Sequence, residues 1–298
     1  MAIAVLKYQL LPLIRSTLQR SLHACERGKN NIIIPPPLSG LPKQSRGRHY
    51  HALPELVFQI SGESRLLCSN YTATVQRGDV FITPSCMPHV EQIQPTTEPF
   101  LNLVLSFYDD GLTLHTAEGV PRTVPTVRQA TRITSQRTPA MLSYVERMIE
   151  YNAMTERKHT EVARGLSMAL ISEIIEALDQ HQTDSGEPQK INACKNYVLI
   201  NLSSHTLSVK TLAEWVQWTP DYLSYAFHSA TGMRLQEYIT AQRLELARRL
   251  LTGSTLSIAE IGYACGYADP SYFNRIFRKT LGCTPGAYRQ QQGFRMPG

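Results

Sequence analysis

Two stretches that repeat each other fifty residues apart decide the fold of the C-terminal third of this chain. Residues 219–232 read TPDYLSYAFHSATG, and residues 269–282 read DPSYFNRIFRKTLG. Each stretch opens with a residue suited to capping a helix N-terminus, followed by proline, and each ends on glycine. Apolar residues recur between these ends at helical spacing. The repeat therefore predicts two copies of one short helix.

A second amphipathic segment precedes each copy. One segment follows Ser208 and the other follows Ser257, and Ser257 forms the pattern of a capping box with Glu260. The apolar positions of these segments are Val209, Leu212, Ala213 and Val216 in the first copy, and Ile258, Ile261, Ala264 and Cys265 in the second. A helix, a short turn and a helix, found twice, predict a tandem helix-turn-helix.

The second helix of such a pair can enter the major groove of DNA, so its outward side chains are candidate DNA contacts. In the second copy they are hydrogen-bonding and cationic: Ser271, Asn274, Arg275, Arg278 and Lys279. In the first copy they carry no permanent positive charge: Asp221, Ser224, Tyr225 and His228. Asp221 suits the positive end of a helix as well as it suits a cytosine contact. We therefore expect the DNA-facing helix of the first copy to release fewer counterions from DNA, and so to contribute less to the binding affinity, than that of the second copy.

Positive charge is concentrated in the same part of the chain. Residues 191–298 carry 11 Lys and Arg against six Asp and Glu, whereas the whole chain has a net charge of +6. Nearly all of the excess therefore lies with the predicted helices, as binding to a polyanion requires.

Residues 191–290 resemble the AraC/XylS family of transcriptional regulators. The run 243–251, RLELARRLL, is similar to the family's linker helix, and residues 258–285 are similar to its signature. The resemblance implies a rigid linker helix near residues 233–251 that holds two recognition helices in successive major grooves. Gln217 stands where a turn glycine is common, and Tyr225 stands where many members have a basic residue.

The N-terminal part predicts a different architecture. Residues 3–26 resemble an amphipathic helix, and residues 30–42 a proline-rich connector. Short β-branched or aromatic segments follow, at 57–60, 71–75, 80–83 and 100–107. We predict an α+β protein: a cupin-like β-barrel or jelly roll with flanking helices, then the all-α tandem helix-turn-helix. The predicted domains are a sensor at 1–137, a helical dimerisation segment at 138–180, a linker at 181–190 and the DNA-binding domain at 191–298.

A group of histidine and glutamate residues in the strand-rich block could carry chemistry. His49, His51 and Glu55 resemble the first cupin motif, and His89 belongs to a stretch that resembles the second. Residues 49, 51 and 55 share one side of a continuous strand, and His89 from a neighbouring strand could complete a metal site with three histidines and one carboxylate. Pro54 interrupts this pattern. If the strand has a β-bulge that shifts its register, we expect the bulge at Pro54. The alternatives are a bound metal, and hydrogen-bonded or ligand-contacting residues in a metal-free sensor.

Composition limits the remaining function classes. The six cysteines form no CxxC pair, and we find neither a signal peptide nor a membrane span, so we expect a cytoplasmic protein. We expect a homodimeric regulator that binds double-stranded DNA under control of a small ligand, with RNA polymerase as a further partner. No catalytic residue, metal or cofactor is assigned. The alternative is a metal-dependent cupin enzyme whose basic tail tethers it to nucleic acid.

Overall fold

The computed structural model describes residues 2–29, 31–36, 51, 53–68, 71–85, 87–108, 111–154, 161–180 and 189–292. Most of these residues form two compact units. The N-terminal unit comprises residues 2–36 and 53–180, and the C-terminal unit comprises residues 189–292. No helix within the described ranges combines the length and the hydropathy that a membrane crossing needs.

The strands of the N-terminal unit form two sheets. They are β1 Ile32–Ile33, β2 Glu55–Ser61, β3 Ser64–Cys68, β4 Thr72–Val75, β5 Val80–Thr83, β6 His89–Ile93, β7 Phe100–Tyr108, β8 Gly111–Gly119 and β9 Thr126–Thr134. The larger sheet has the order β1-β5-β2-β7-β8-β9 and the smaller one has the order β4-β3-β6. Neighbouring strands are antiparallel, apart from the parallel pair β1 and β5. Together with the helices, these sheets confirm the α+β class.

The outer face of the larger sheet is covered by three helices: α1 Ala2–Glu26, α2 Thr138–Met154 and α3 Glu161–Gln180. Leu56, Leu103 and Leu105 of the sheet share one buried core with Ile14 of α1 and Ile174 of α3. The residues of α2 and α3 that share this core include Val145, Met148, Leu170, Ile174 and Leu178. Dimerisation through residues 138–180 stays a prediction.

The inner face of the larger sheet packs against the smaller sheet. Val57, Phe81 and Val104 meet Leu66 and Val75 in a second buried core. Side chains alternate between the two faces along each strand, so β2 contributes Leu56 to the outer core and Val57 to the inner one. Both faces of the larger sheet are therefore enclosed.

The strand that was to carry the histidine motif is shorter than predicted. β2 begins at Glu55, directly after Pro54, so His51 lies outside it, and His49 lies outside the described residues. The register of β2 shifts between Gln59 and Ser61 rather than at Pro54. The argument that residues 49, 51 and 55 share one side of a continuous strand therefore does not apply.

The C-terminal unit is helical. Its helices are α4 Gln189–Ile200, α5 Val209–Val216, α6 Pro220–Thr231, α7 Leu235–Gly253, α8 Ile258–Ala264, α9 Pro270–Leu281 and α10 Pro285–Gln292. The caps that the sequence predicts are present, since side chains of Ser208, Thr219, Ser257 and Asp269 accept hydrogen bonds from backbone N–H groups. The pairs α5–α6 and α8–α9 form the first and second helix-turn-helix, joined by α7. Of the predicted linker 181–190, residues 181–188 lie outside the described residues, and α4 begins at Gln189.

Candidate nucleic-acid interface and buried polar cluster

Helix α9 presents a cationic face whose direction is fixed by its buried side. Phe273 and Phe277 are fully buried, which turns the opposite side of the helix to the surface. The predicted contacts on that side are exposed: Ser271, Arg275, Arg278 and Lys279. Asn274 is half-buried, and its Nδ2 donates to the carbonyl oxygen of Pro270 at 2.9 Å. The Asn274 amide is therefore partly engaged within the helix.

Tyr272 belongs to the exposed face of α9, although we did not predict it as a contact. Its side chain is 44% exposed, and the guanidinium carbon of Arg275 lies 5.1 Å from the centre of its ring. Such a cation–π contact restricts where the guanidinium can point. The spacing of the two residues, i and i+3 on one helix, was the signal that could have identified the pair.

Helix α6 presents a face of different chemistry. Asp221, Ser224, Tyr225 and His228 are all exposed, with Tyr225 72% exposed, while Leu223 and Phe227 are buried. The hydroxyl of Ser224 donates to the carbonyl oxygen of Pro220 at 2.8 Å. This face offers an aromatic ring and hydrogen-bonding groups without the cations of α9.

In the N-terminal unit, Glu55 and His89 face each other from different sheets. His89 Nε2 lies 3.5 Å from Glu55 Oε2, and both side chains are buried. Ser106 Oγ donates to Glu55 Oε1 at 2.7 Å, and His89 Nδ1 donates to the carbonyl oxygen of Met87 at 3.1 Å. We expected His89 on a strand neighbouring β2, and this was wrong, because β6 belongs to the smaller sheet.

Ligand atoms of His51, Glu55 and His89 lie within 4.8 Å of one another. Around metal ions, a carbonyl group commonly holds one nitrogen of a ligating imidazole, and a hydroxyl group commonly holds one oxygen of a ligating carboxylate. The same contacts also suit a buried ion pair. The donor set fits either alternative that the sequence left open.

A second carboxyl group, that of the half-buried Glu91, lies beside this pair. Asn102 Nδ2 donates to both of its oxygens, at 3.1 and 2.9 Å. Burial raises the pKa of Glu91 to about 7, and the nearby charge of Glu55 acts in the same direction. Burial alone would disfavour the charged imidazole of His89, but its contact with Glu55 outweighs that effect and raises its pKa. Glu91 and His89 therefore keep their protons up to a higher pH than exposed glutamate and histidine side chains do.

A row of polar side chains crosses the inner face of the larger sheet. Thr83, Glu55, Ser106 and Thr113 are paired in register across β5, β2, β7 and β8. Within the part of the chain that the structure describes, the hydroxyls of Thr83 and Thr113 and the Oδ1 atom of Asn102 are buried without a hydrogen-bond partner. Unpaired buried polar atoms are uncommon in folded proteins and call for an explanation.

Comparisons with known proteins agree with the helical repeat. The family described as Helix-turn-helix domain matches residues 212–291. The HTH-type transcriptional regulator YijO of Escherichia coli K12 is 33% identical over 132 residues, which are 44% of this chain and 46% of that protein. The Arabinose operon regulatory protein of the same organism is 27% identical over 135 residues, 45% of this chain and 46% of that protein. The transcriptional activator RhaR of Pectobacterium atrosepticum is 25% identical over 255 residues, 82% of this chain and 86% of that protein.

The two helix-turn-helices, joined by one helix and matched by this family model, define a DNA-binding domain of transcriptional regulators. Residues 212–291 match this helix-turn-helix family, and the similarity to these regulators supports the resemblance of residues 191–290 to the AraC/XylS family of transcriptional regulators. The chain spans less than half of the length of YijO and of the Arabinose operon regulatory protein.

Proposed function

We propose that this chain is a cytoplasmic, sequence-specific transcriptional regulator whose DNA binding is modulated by a small ligand in the N-terminal unit. The observation that carries the proposal is the exposed face of α9. Arg275, Arg278 and Lys279 lie on a helix that two buried phenylalanines hold in place, within a domain that matches helix-turn-helix proteins. A cationic helix on a rigid base suits the major groove.

The exposed residues divide into base readers and phosphate contacts. Arg275 can bind O6 and N7 of guanine together, and Ser271 and Asn274 offer further hydrogen bonds to base edges. Arg278 and Lys279 neutralise phosphates on either side of the groove. On α6, Tyr225 can contact a thymine methyl group, while Asp221, Ser224 and His228 supply hydrogen bonds. Specificity would come from both helices, and most of the electrostatic affinity from α9.

Two alanine variants separate these roles. Arg275→Ala should weaken binding to a site selected from random DNA by about 1–3 kcal/mol and relax the preference at one base pair. Lys279→Ala should weaken all sequences alike and make the dependence of affinity on salt shallower. Electrophoretic mobility shifts at several salt concentrations measure both effects. An Arg275→Ala protein that binds as tightly and selectively as the parent would contradict the groove assignment.

The polar row and the Glu55–His89 pair support a ligand between the two sheets. Buried hydroxyls and an amide oxygen without protein partners are groups that a polar ligand can satisfy. Under this proposal His49, His51, Glu55 and His89 contact the ligand or position its contacts, and the chain catalyses no reaction. The regulator would act as a homodimer through residues 138–180, with RNA polymerase as a further partner.

The grouping of His51, Glu55 and His89 is the observation that favours the alternative, a metal-dependent enzyme. Elemental analysis of protein purified without chelators distinguishes the two. Metal at one equivalent that disappears in the His89→Ala protein would favour the metal-dependent alternative over the metal-free sensor.

A further inference from the structure

We propose that Arg243 sets the distance between the two helix-turn-helices and thereby the spacing of the two DNA contacts, an inference that rests on the proposed function. Arg243 lies in the middle of α7 and is only 8% exposed. A charged side chain so deeply placed needs polar partners close by. Its partners come from both sides of the domain.

One set of partners leads into the first helix-turn-helix. Arg243 Nε donates to the carbonyl oxygen of Leu202 at 3.3 Å, and Nη2 donates to that of Ser204 at 2.7 Å. Both carbonyls belong to the connection between α4 and α5. The guanidinium therefore ties this connection to the centre of α7.

The other set belongs to the turn of the second helix-turn-helix. The guanidinium carbon of Arg243 lies 5.4 Å from the centre of the Tyr267 ring. Gly266 next to it has a φ of +78°, and a Cβ atom there would lie 2.7 Å from Arg243 Nη2 and 2.4 Å from the Leu202 oxygen. Only glycine fits so close an approach. The connection that leads into the first helix-turn-helix, the turn of the second helix-turn-helix and α7 therefore meet at one junction around Arg243.

Stability alone does not account for a charge at this junction. Burial lowers the pKa of Arg243, because the protein interior disfavours the charged form, while Tyr267 acts in the opposite direction. Apolar residues of similar volume often replace buried charges without loss of stability. The planar guanidinium differs from them in offering several donors in fixed directions. It thereby fixes the distances from α7 to two carbonyl oxygens, which an apolar side chain would leave adjustable.

A fixed junction has a consequence for DNA. One added base pair moves the second contact by about 3.4 Å and rotates it by about 35° around the duplex. A rigid domain cannot follow this change, so it binds one spacing of the two contacts in preference to its neighbours. A domain with a loosened junction accommodates several spacings.

The test uses the full chain and a duplex selected from a random pool. Loss of base preference in Tyr225→Ala and Arg275→Ala maps the contacts of α6 and α9 on this duplex. Two derivatives then carry one base pair inserted or removed between the mapped contacts. The parent should bind both derivatives about tenfold more weakly than the selected duplex. Arg243→Met, which keeps the length of the apolar stem, should reduce this difference to about threefold or less.

The matched control is Arg249→Met on the same helix, where Arg249 pairs with Glu245 of the preceding turn. It should keep the parent's tenfold difference. An Arg243→Met protein that binds all three duplexes more weakly, yet with the parent's ratio, would show that Arg243 only supports the fold and would overturn the inference.

Two further outcomes are informative. If Arg243→Met does not fold, Arg243→Lys decides, because it keeps the charge but lacks the guanidinium fork. A reduced ratio supports the inference and an unchanged ratio overturns it. A parent chain that shows no sequence preference during selection would instead contradict the proposed function itself.

Discussion

Glu91 is half-buried on β6, and its protonation is linked to the stability of the N-terminal unit. Its pKa is about 7 in the folded chain, against an ordinary value of 4.5 for a glutamate. The folded state therefore binds more protons between these values, so stability falls as pH rises from about 4.5 to 7. Glu91→Gln mimics the protonated carboxyl group, so at pH 8 it should be more stable than the parent by about 1–3 kcal/mol.

Denaturation of the full chain at several pH values measures this difference. Both tryptophans, Trp215 and Trp218, lie in the C-terminal unit, so far-UV circular dichroism is needed to follow the sheets. His89 also has a raised pKa, and its contribution is likewise lost as pH rises; contact with Glu55, which the variant keeps, is the main cause of that rise, and the charge of Glu91 is the smallest one. Glu118→Gln, in a half-exposed ion pair on β8, is the control. Equal pH profiles for the parent and Glu91→Gln would contradict the prediction.

The sequence identifies candidate side chains more readily than their partners. Arg275 was predictable because it lies off the apolar stripe of a well-marked helix. The contact of Glu55 with Ser106, and that of Glu91 with Asn102, join residues far apart in the chain on strands whose pairing no local pattern specifies. The role proposed for Arg243 depends in the same way on Leu202 and Gly266, which only the tertiary fold brings to it.

At the scale of elements, Gln217 holds the turn between α5 and α6 in a conformation that suits glycine. Its φ of 57° and ψ of 46° are left-handed, and its N–H group caps α5. A residue other than glycine in the left-handed region destabilises the folded state by about 1–2 kcal/mol. Replacement by glycine recovers only part of this free energy, because glycine is more flexible in the unfolded chain. Gln217→Gly should therefore stabilise the C-terminal unit by roughly 0.5–1 kcal/mol.

Tryptophan fluorescence during urea denaturation suits this measurement, because Trp215 and Trp218 flank the turn. The m-value should stay constant while the midpoint rises. Gln217→Ala keeps the Cβ atom and should leave the midpoint near that of the parent. A glycine variant no more stable than the alanine variant would show that the turn is not strained.

Helices were predicted better than strands for a physical reason. Capping residues, prolines and terminal glycines mark α5, α6, α8 and α9 locally. The sequence did not single out β6 and β8, because their inner faces carry polar residues such as His89, Glu91 and Thr113, which interrupt the apolar runs that mark buried strands. These residues belong to the candidate ligand site, together with Glu55 of β2 and Ser106 of β7, strands that the sequence did indicate.

At the scale of the whole molecule, two exposed apolar residues offer a test of self-association. Met154 at the end of α2 is 81% exposed, and Val162 at the start of α3 is 48% exposed, although other apolar residues of both helices are buried. If residues 138–180 pair in a homodimer, a carboxylate at Val162 would be buried without a partner. Val162→Glu should then raise the dimer dissociation constant at least about tenfold, because an uncompensated buried charge costs well over about 1.4 kcal/mol.

Sedimentation velocity of the full chain at micromolar concentrations distinguishes the two states. Val120→Glu is the matched control, since Val120 is 64% exposed and lies between β8 and β9, away from the predicted interface. It should sediment as the parent does, while Val162→Glu shifts toward the monomer with an unchanged circular dichroism spectrum. Because α2 and α3 bury part of their apolar surface within the unit, the association depends on the apolar residues left exposed, and one charge there should weaken it. A parent that is monomeric at tens of micromolar, or a Val162→Glu protein that dimerises as the parent does, would exclude this face as the interface.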